Sequence, residues 1–228
     1  MIFSESIIDF NRSLNFVEDL PAGIRIMNPY RENPHAFEAS SAFYRKFYSD
    51  SQPRKMIVGI NPGRLGAGVT GVPFTDTHRL SEKCGITIDG LITHEPSSVF
   101  VYDVVEAYGG TEAFYKDFYI TSASPLGFVK RNAKNREVNY NYYDDAALQQ
   151  AVEPFIVASL EHQLTFGIDR SRCFCLGNNK NFNFLNQLNL KKGYFKEIIP
   201  LEHPRFVMQY RSKQKEVYIN KYINALRG

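Results

Sequence analysis

The chain has 228 residues, of which 43% are hydrophobic and 22% charged, and both values are ordinary for a globular protein. Its formal net charge of +3 permits nucleic-acid binding but does not by itself indicate it. No apolar run approaches the ~20 residues of a membrane span, and the N-terminus lacks the basic start of a signal peptide. We therefore expect a cytoplasmic protein, with one domain over 1–228 favoured and two domains possible.

Taken in chain order, hydrophobic periodicity first predicts helices at 4–14, with Ser4 as N-cap, and at 35–49. Residues 20–34 contain three prolines and a glycine and are typical of a loop. The run 55–60, KMIVGI, is typical of a strand that is covered on both faces. A helix at 97–110 follows, with a glycine pair as its stop.

In the second half, strands are predicted within 117–128, at 172–177 and within 195–203. Helices are predicted at 144–167, 178–189 and 212–228, and the basic stretch 129–143 is the most loop-like. Strands that alternate with helices predict an α/β fold with about four, mainly parallel, strands.

Three cysteines, Cys84, Cys173 and Cys175, form no C-x-x-C pair. Zinc and iron–sulfur sites usually need such pairs, so we expect no metal and no cofactor, and we expect the thiols to be reduced. Four of the five histidines show no metal-binding spacing either: His35, His78, His94 and His162.

Polar residues follow three of the predicted strands. The loops GINPGRLG, TSASPLG and LEHPRFV carry Asn61, Ser122 and His203. Ligands of open α/β sheets bind beyond the carboxyl ends of the strands, so we expect these three residues to share one site.

The glycine-rich stretch 58–76 also suggests a phosphate-binding loop, but its details argue against one. It lacks the closing Lys-Ser/Thr of a Walker A motif. GAGVTG at 66–71 matches G-x-G-x-x-G, yet it does not directly follow the strand, and VPFTD is a poor helix start. The dinucleotide-binding interpretation is therefore disfavoured.

Four short motifs occur in order along the chain: GINPG at 59–63, TGVPF at 70–74, SASPL at 122–126 and HPRF at 203–206. This set resembles the uracil-DNA glycosylase superfamily, and most closely its single-strand-selective monofunctional branch. The first two motifs match closely and the last two in part. The resemblance runs from residue 55 to the C-terminal helix and implies a three-layer α/β/α sandwich around a four-stranded, mainly parallel sheet.

The resemblance implies a monofunctional, monomeric DNA glycosylase that hydrolyses the N-glycosidic bond of uracil and leaves an abasic site for base-excision repair. Asn61 would position the attacking water, and His203 would donate a hydrogen bond to the leaving base, as at other oxyanion sites. Phe74 would stack on the flipped base. The base pocket would further include Ile60, Gly63 and Ser122.

Ser122 stands where the family has an asparagine that reads the uracil edge. A hydroxyl rotates and can donate or accept, whereas an amide offers both in a fixed order. We therefore expect looser base selection, with xanthine or hypoxanthine as further substrates. Residues expected to contact the DNA are Pro62, Lys130, Arg131, Arg205 and Phe206, the last two as candidate wedge side chains.

Simpler interpretations remain open at this point. Phe74 can be a core aromatic, Asn61 a turn residue, His203 a structural hydrogen-bonding group and Asp76 a helix N-cap. The basic run near Lys130 can be a solvated loop. The alternative function is a non-catalytic nucleic-acid-binding module on the same fold.

Overall fold

The structure is a computed structural model that describes residues 2–228, so Met1, the first residue of the predicted domain, lies outside the described residues. Its strands are β1 (Ile24–Met27), β2 (Arg54–Gly59), β3 (Phe118–Ser122), β4 (Gly127–Arg131), β5 (Glu137–Tyr140), β6 (Ile168–Leu176) and β7 (Glu197–Leu201). Its helices are α1 (Phe3–Ser13), α2 (Pro29–Glu32), α3 (Pro34–Phe47), α4 (Ala67–Thr70), α5 (Thr77–Cys84), α6 (Pro96–Tyr108), α7 (Gly110–Asp117), α8 (Ala146–Leu164), α9 (Lys180–Lys192), α10 (Pro204–Tyr210) and α11 (Lys215–Arg227).

The central sheet has four strands in the order β3-β2-β6-β7, and every neighbouring pair is parallel. Helices cover both faces, and the predicted three-layer α/β/α sandwich is confirmed. Met56 and Val58 on β2 are completely buried, as is Phe174 on β6. Because both faces of these strands are covered, their sequences are continuous apolar runs rather than alternating ones.

A second sheet, of three antiparallel strands in the order β1-β4-β5, corrects two loop predictions. Residues 129–143 contain most of a hairpin, and residues 20–34 contain β1 and α2. The strands of this sheet are only four or five residues long and carry polar residues on their outer face. Neither a continuous apolar run nor a long alternation marks them in the sequence.

The predicted helices are present, with changes at their ends. The N-cap of α1 is Ile2 rather than Ser4, which lies buried inside the helix. Gly109 ends α6 as predicted, but Gly110 starts α7. Pro154 lies inside α8 without ending it.

Across residues 2–228, no helix is both long and apolar enough to cross a membrane. Over the same range, His, Cys, Asp and Glu side chains form no group of three or more with a metal-binding arrangement.

Candidate active site

The carboxyl ends of three parallel strands meet at one edge of the central sheet. Gly59, the last residue of β2, is paired with Ser122, the last residue of β3. At this edge, a cavity of about 110 Å³ is lined by Asn61, Ser122, His203 and Phe74. The parallel topology thus brings together residues that lie up to 142 positions apart in the chain, since Asn61 and His203 are at positions 61 and 203.

His203 is held in one tautomer by the helix that it caps. It is the N-cap of α10, and its Nδ1 accepts a hydrogen bond from the backbone N–H of Arg205 at 3.1 Å. Burial, and secondarily the charge of Arg205, lowers the pKa of His203 to about 4. The imidazole is therefore neutral near pH 7, with its proton on Nε2, and it is a hydrogen-bond donor in the cavity.

Phe74 adopts a backbone conformation that only a few non-glycine residues adopt, with φ of 53°. Its ring packs directly on Gly59, where an added Cβ would lie 2.7 Å from ring atoms Cε2 and Cζ. The ring centroid lies 5.7 Å from that of His203. The turn is held by Thr70, whose hydroxyl donates to the carbonyl of Thr75 at 2.7 Å. Local strain that is fixed in this way is common at ligand sites.

The side chain of Asn61 bonds to the last residue of β5 and to the segment that follows it. Its Nδ2 donates to the carbonyl of Tyr140 at 3.2 Å, and its Oδ1 accepts from the N–H of Tyr142 at 3.1 Å. Because an amide oxygen has two acceptor sites, Oδ1 keeps one for a water molecule. Asn61 therefore has a structural role as well as a place in the cavity.

The other residues expected to contact the base lie in the same lining. Ile60, Gly63 and buried Ser122 line the cavity, and so does Pro62 from the DNA-contacting set. Within residues 2–228, the hydroxyl of Ser122 neither donates nor accepts a hydrogen bond, so it remains available to a ligand. Asn139 and Asn141, at the end of the hairpin and just beyond it, were not anticipated in the lining.

The remaining DNA-contacting candidates are distributed over a wider surface. Arg205 lines the cavity, and Phe206 is 40% exposed in an adjoining groove of about 540 Å³. Lys130 and Arg131 do not line that cavity or that groove. Lys130 lies 5.1 Å above the ring of Tyr140, and exposed Arg131 donates to Asn135 within the hairpin.

Glu95, at the start of α6, also lines the cavity, and sequence analysis missed it. Burial, and secondarily Asp76, raises the pKa of this carboxyl group to about 7. An acidic residue just before a helix is common in sequences, since it favours the helix dipole. Nothing in the local pattern separates Glu95 from such residues, because only the tertiary fold brings it to the glycine-rich loop.

Asp76 has the capping role that was its simpler interpretation. It is fully buried, and its Oδ1 accepts from the N–H of Arg79 at the start of α5. Its Oδ2 accepts from the N–H of Glu95 at 2.8 Å. Asp76 therefore ties the start of α5 to the start of α6 and fixes the position of Glu95.

The fold is that of an α/β protein whose parallel sheet carries a cavity at the carboxyl ends of its strands. The chain belongs to the uracil DNA glycosylase superfamily, whose family model matches residues 45–227. A crystal structure of wild-type SMUG2 from Pedobacter heparinus is similar, with a TM-score of 0.97 and 50% sequence identity, over 100% of this chain and 97% of that chain. The search of curated proteins gives no match. The protein is thus a DNA glycosylase and, as a superfamily member, an N-glycosylase hydrolase.

Proposed function

We propose that this DNA glycosylase is monofunctional and hydrolyses the N-glycosidic bond of uracil, and of other deaminated bases such as xanthine and hypoxanthine, leaving an abasic site. The observation that carries the proposal is that His203, whose Nδ1 accepts the Arg205 N–H, lines one cavity with Asn61 and Phe74. We further propose that the enzyme acts as a monomer. We place this activity in the cytoplasm.

His203 supplies the hydrogen bond that the leaving group needs. When the glycosidic bond of uracil breaks, negative charge builds up on the carbonyl oxygen beside that bond. A preorganised donor at such an oxygen contributes about 2.7–4 kcal/mol to the transition state in comparable oxyanion sites. Because the pKa of His203 is lowered to about 4, the imidazole acts as a hydrogen-bond donor and is not an acid that would transfer its proton.

Asn61 positions the water that attacks the sugar. Its Oδ1 already accepts from the Tyr142 N–H, and this bond fixes the direction of the remaining acceptor site. An amide is a weak base, which suffices for a sugar with oxocarbenium character. Among the described residues that line the cavity there is no lysine, which favours simple hydrolysis over Schiff-base chemistry.

Phe74 and Ser122 bind the flipped base. The ring of Phe74, braced by Gly59, offers a stacking surface, and stacking contributes about 1–3 kcal/mol per base. Ser122 offers a rotatable hydroxyl to the edge of the base, which supports a range of deaminated bases rather than uracil alone. Flipping costs least for single-stranded or mispaired bases, so these are the substrates in which we expect the fastest excision.

Product analysis with labelled oligonucleotides tests this proposal. The panel carries uracil, xanthine, hypoxanthine or thymine, in single strands and in duplexes, and alkali cleaves the abasic products. Wild type is run beside Asn61→Ala and His203→Ala, and we expect excision of uracil that falls by about 100-fold or more in His203→Ala. DNA binding without any abasic product would overturn the proposal in favour of a non-catalytic binding module. Uracil-only excision that is unchanged in Ser122→Asn would overturn the role of Ser122.

A further inference from the structure

The carboxyl group of Glu95 occupies a space that two glycines leave open. An added Cβ on Gly66 would lie 1.9 Å from its Oε2, and an added Cβ on Gly63 would lie 2.9 Å from its Oε1. Real Cβ atoms do not approach other atoms so closely, so both positions must lack a side chain while Glu95 keeps this conformation. Part of the glycine content of this loop therefore serves to admit a carboxyl group to the wall of the cavity.

The backbone of Glu95 is held by a hydrogen bond, but its carboxyl group has no hydrogen-bond partner among residues 2–228. The backbone N–H of Glu95 donates to Asp76, whereas neither Oε1 nor Oε2 accepts a hydrogen bond from any group among residues 2–228. A half-buried carboxyl group in the wall of a cavity, with both oxygens free to form hydrogen bonds, is available to a ligand.

The charged and titratable groups around Glu95 come from the starts of two helices and from the segment between α5 and α6. Asp76 and Arg79 lie at the start of α5. In the segment before α6, the Nδ1 atom of His94 lies 3.9 Å from Oδ2 of Asp76. His203 and Arg205 lie at the start of α10. Burial and the Asp76 charge raise the pKa of Glu95 to about 7, while Arg205 opposes the shift. Near neutral pH, a large fraction of Glu95 therefore carries a proton and can donate it.

We propose that Glu95 is a general acid for purine bases, a role that rests on the glycosylase function proposed above. As the C1′–N9 bond of a hypoxanthine nucleotide breaks, the bonding electron pair stays with the base, and N7 takes the proton of Glu95. Water adds to C1′ and releases its proton to solvent, from which the Glu95 carboxylate is protonated again. Purines have an acceptor at N7. Uracil has no free ring nitrogen of this kind, so it depends on His203 instead.

The pH dependence of base selection tests this proposal without any substitution. Single-turnover excision of hypoxanthine and of uracil is measured with wild type between pH 5.5 and 8.5. The acid form of Glu95 is present below its pKa and is lost as the pH rises. We therefore expect the hypoxanthine-to-uracil rate ratio to be constant at low pH and to fall by about tenfold per pH unit well above pH 7. A ratio that rises with pH, or does not change, would overturn the proposal.

Substitutions separate the acid role from a structural one. Glu95→Gln keeps the shape but has no proton to transfer, so we expect the hypoxanthine-to-uracil ratio to fall by about 100-fold and its pH dependence to disappear. Gly66→Ala should lower the ratio as well, because its Cβ displaces the carboxyl group. Glu38→Gln, whose parent side chain on α3 is 75% exposed, is the matched control and should behave as wild type.

Three further outcomes distinguish this proposal from the function on which it rests. If Glu95→Gln lowers uracil and hypoxanthine excision equally while thermal unfolding is unchanged, Glu95 is not a purine-specific acid. If wild type excises uracil but no purine at any pH, the role of Glu95 fails and the glycosylase function stands. If no base is excised, the proposed function itself fails.

Discussion

At the scale of single residues, the pairing of Gly59 with Phe74 decides whether the stacking surface is in place. The Phe74 ring lies where a side chain on Gly59 would be, and the positive φ of Phe74 leaves the turn little freedom to move. The ring can therefore hold this position only while residue 59 is glycine.

We predict that Gly59→Ala lowers the free energy of unfolding by about 1–3 kcal/mol, because the added methyl group overpacks the site. It should also lower uracil excision, because the ring must tilt away from the base. In a Phe74→Leu background the same change should cost much less, since leucine lacks the Cε2 and Cζ atoms that would clash. Urea unfolding and single-turnover rates of the four proteins form a double-mutant cycle. Strictly additive effects would contradict the contact.

His203 leads to a prediction about the pH dependence of uracil excision and of stability. Its pKa is lowered to about 4, so the neutral donor persists as the pH falls from 8 to 5.5, and uracil excision should show no loss near the ordinary histidine value of about 6.5. Because the unfolded chain binds a proton more readily than the folded one, His203 also makes the fold less stable as the pH drops below about 6.5.

The ring ¹⁵N shifts of His203, assigned by their loss in His203→Ala, check both the pKa and the tautomer. We expect a protonated Nε2 and an unprotonated Nδ1 from pH 5.5 to 8, since Nδ1 accepts the Arg205 N–H. A titration midpoint between 6 and 7, or a protonated Nδ1, would contradict this assignment.

At the scale of secondary-structure elements, Asn61 joins the end of β2 to the end of β5 and to the segment after it. Its amide bonds to the carbonyl of Tyr140 and to the N–H of Tyr142. We predict that Asn61→Ala both removes the water-positioning group and loosens this segment, at a cost of about 1–3 kcal/mol in the free energy of unfolding. Hydrogen exchange at the Tyr142 amide should become faster, while exchange in β6 should not. Unchanged exchange at Tyr142 would show that the amide has no structural role.

The hairpin of β4 and β5 offers a second element-scale prediction. Its exposed end carries Arg131, Lys134 and Arg136, a few residues from cavity-lining Asn139. If one of these cations contacts a phosphate, its substitution by alanine should make the negative slope of log K, the DNA-binding constant, against log salt concentration shallower by about 0.7–0.9. DNA affinity is measured at several salt concentrations, with Lys191→Ala on α9 as the control. Equal slopes for all variants would show that these cations are solvated and do not contact DNA phosphates.

How far the sequence predicts the structure also depends on the element. The buried strands and long helices were predictable because burial on both faces, or on one helical face, leaves a strong apolar pattern. The hairpin was not, because KRNAKNREV is mostly polar and β4 also pairs with β1, which is itself only four residues long. In the cavity, Asn61 and His203 were predictable from their motifs at strand ends. Glu95 was not, because its place depends on a contact with Asp76, 19 positions away.

At the scale of the whole molecule, the two ends of β2 have different roles, one in the cavity and one in stability. The carboxyl end leads into the cavity, whereas Arg54 at the amino end is completely buried. The guanidinium of Arg54 donates to Asp50 and to the backbone carbonyls of three residues. It also lies over two aromatic rings, 4.9 Å from the ring centroid of Phe3 and 4.8 Å from that of Tyr48. The three carbonyls belong to Phe47, Gln52 and Tyr115. Arg54 thereby connects α1, α3 and α7 with the central sheet.

We predict that Arg54→Met lowers the free energy of unfolding by about 3–5 kcal/mol, because it leaves these acceptors without their shared donor. Arg45→Met is the matched control, since Arg45 is 57% exposed and its ion pair with Glu5 is worth about 0–1 kcal/mol. Urea unfolding followed by fluorescence and circular dichroism measures both. Excision per folded molecule should stay close to wild type at low temperature, since Arg54 lies at the other end of β2 from Asn61. A large loss of excision in fully folded Arg54→Met would mean that the amino end of the sheet also determines the geometry of the cavity.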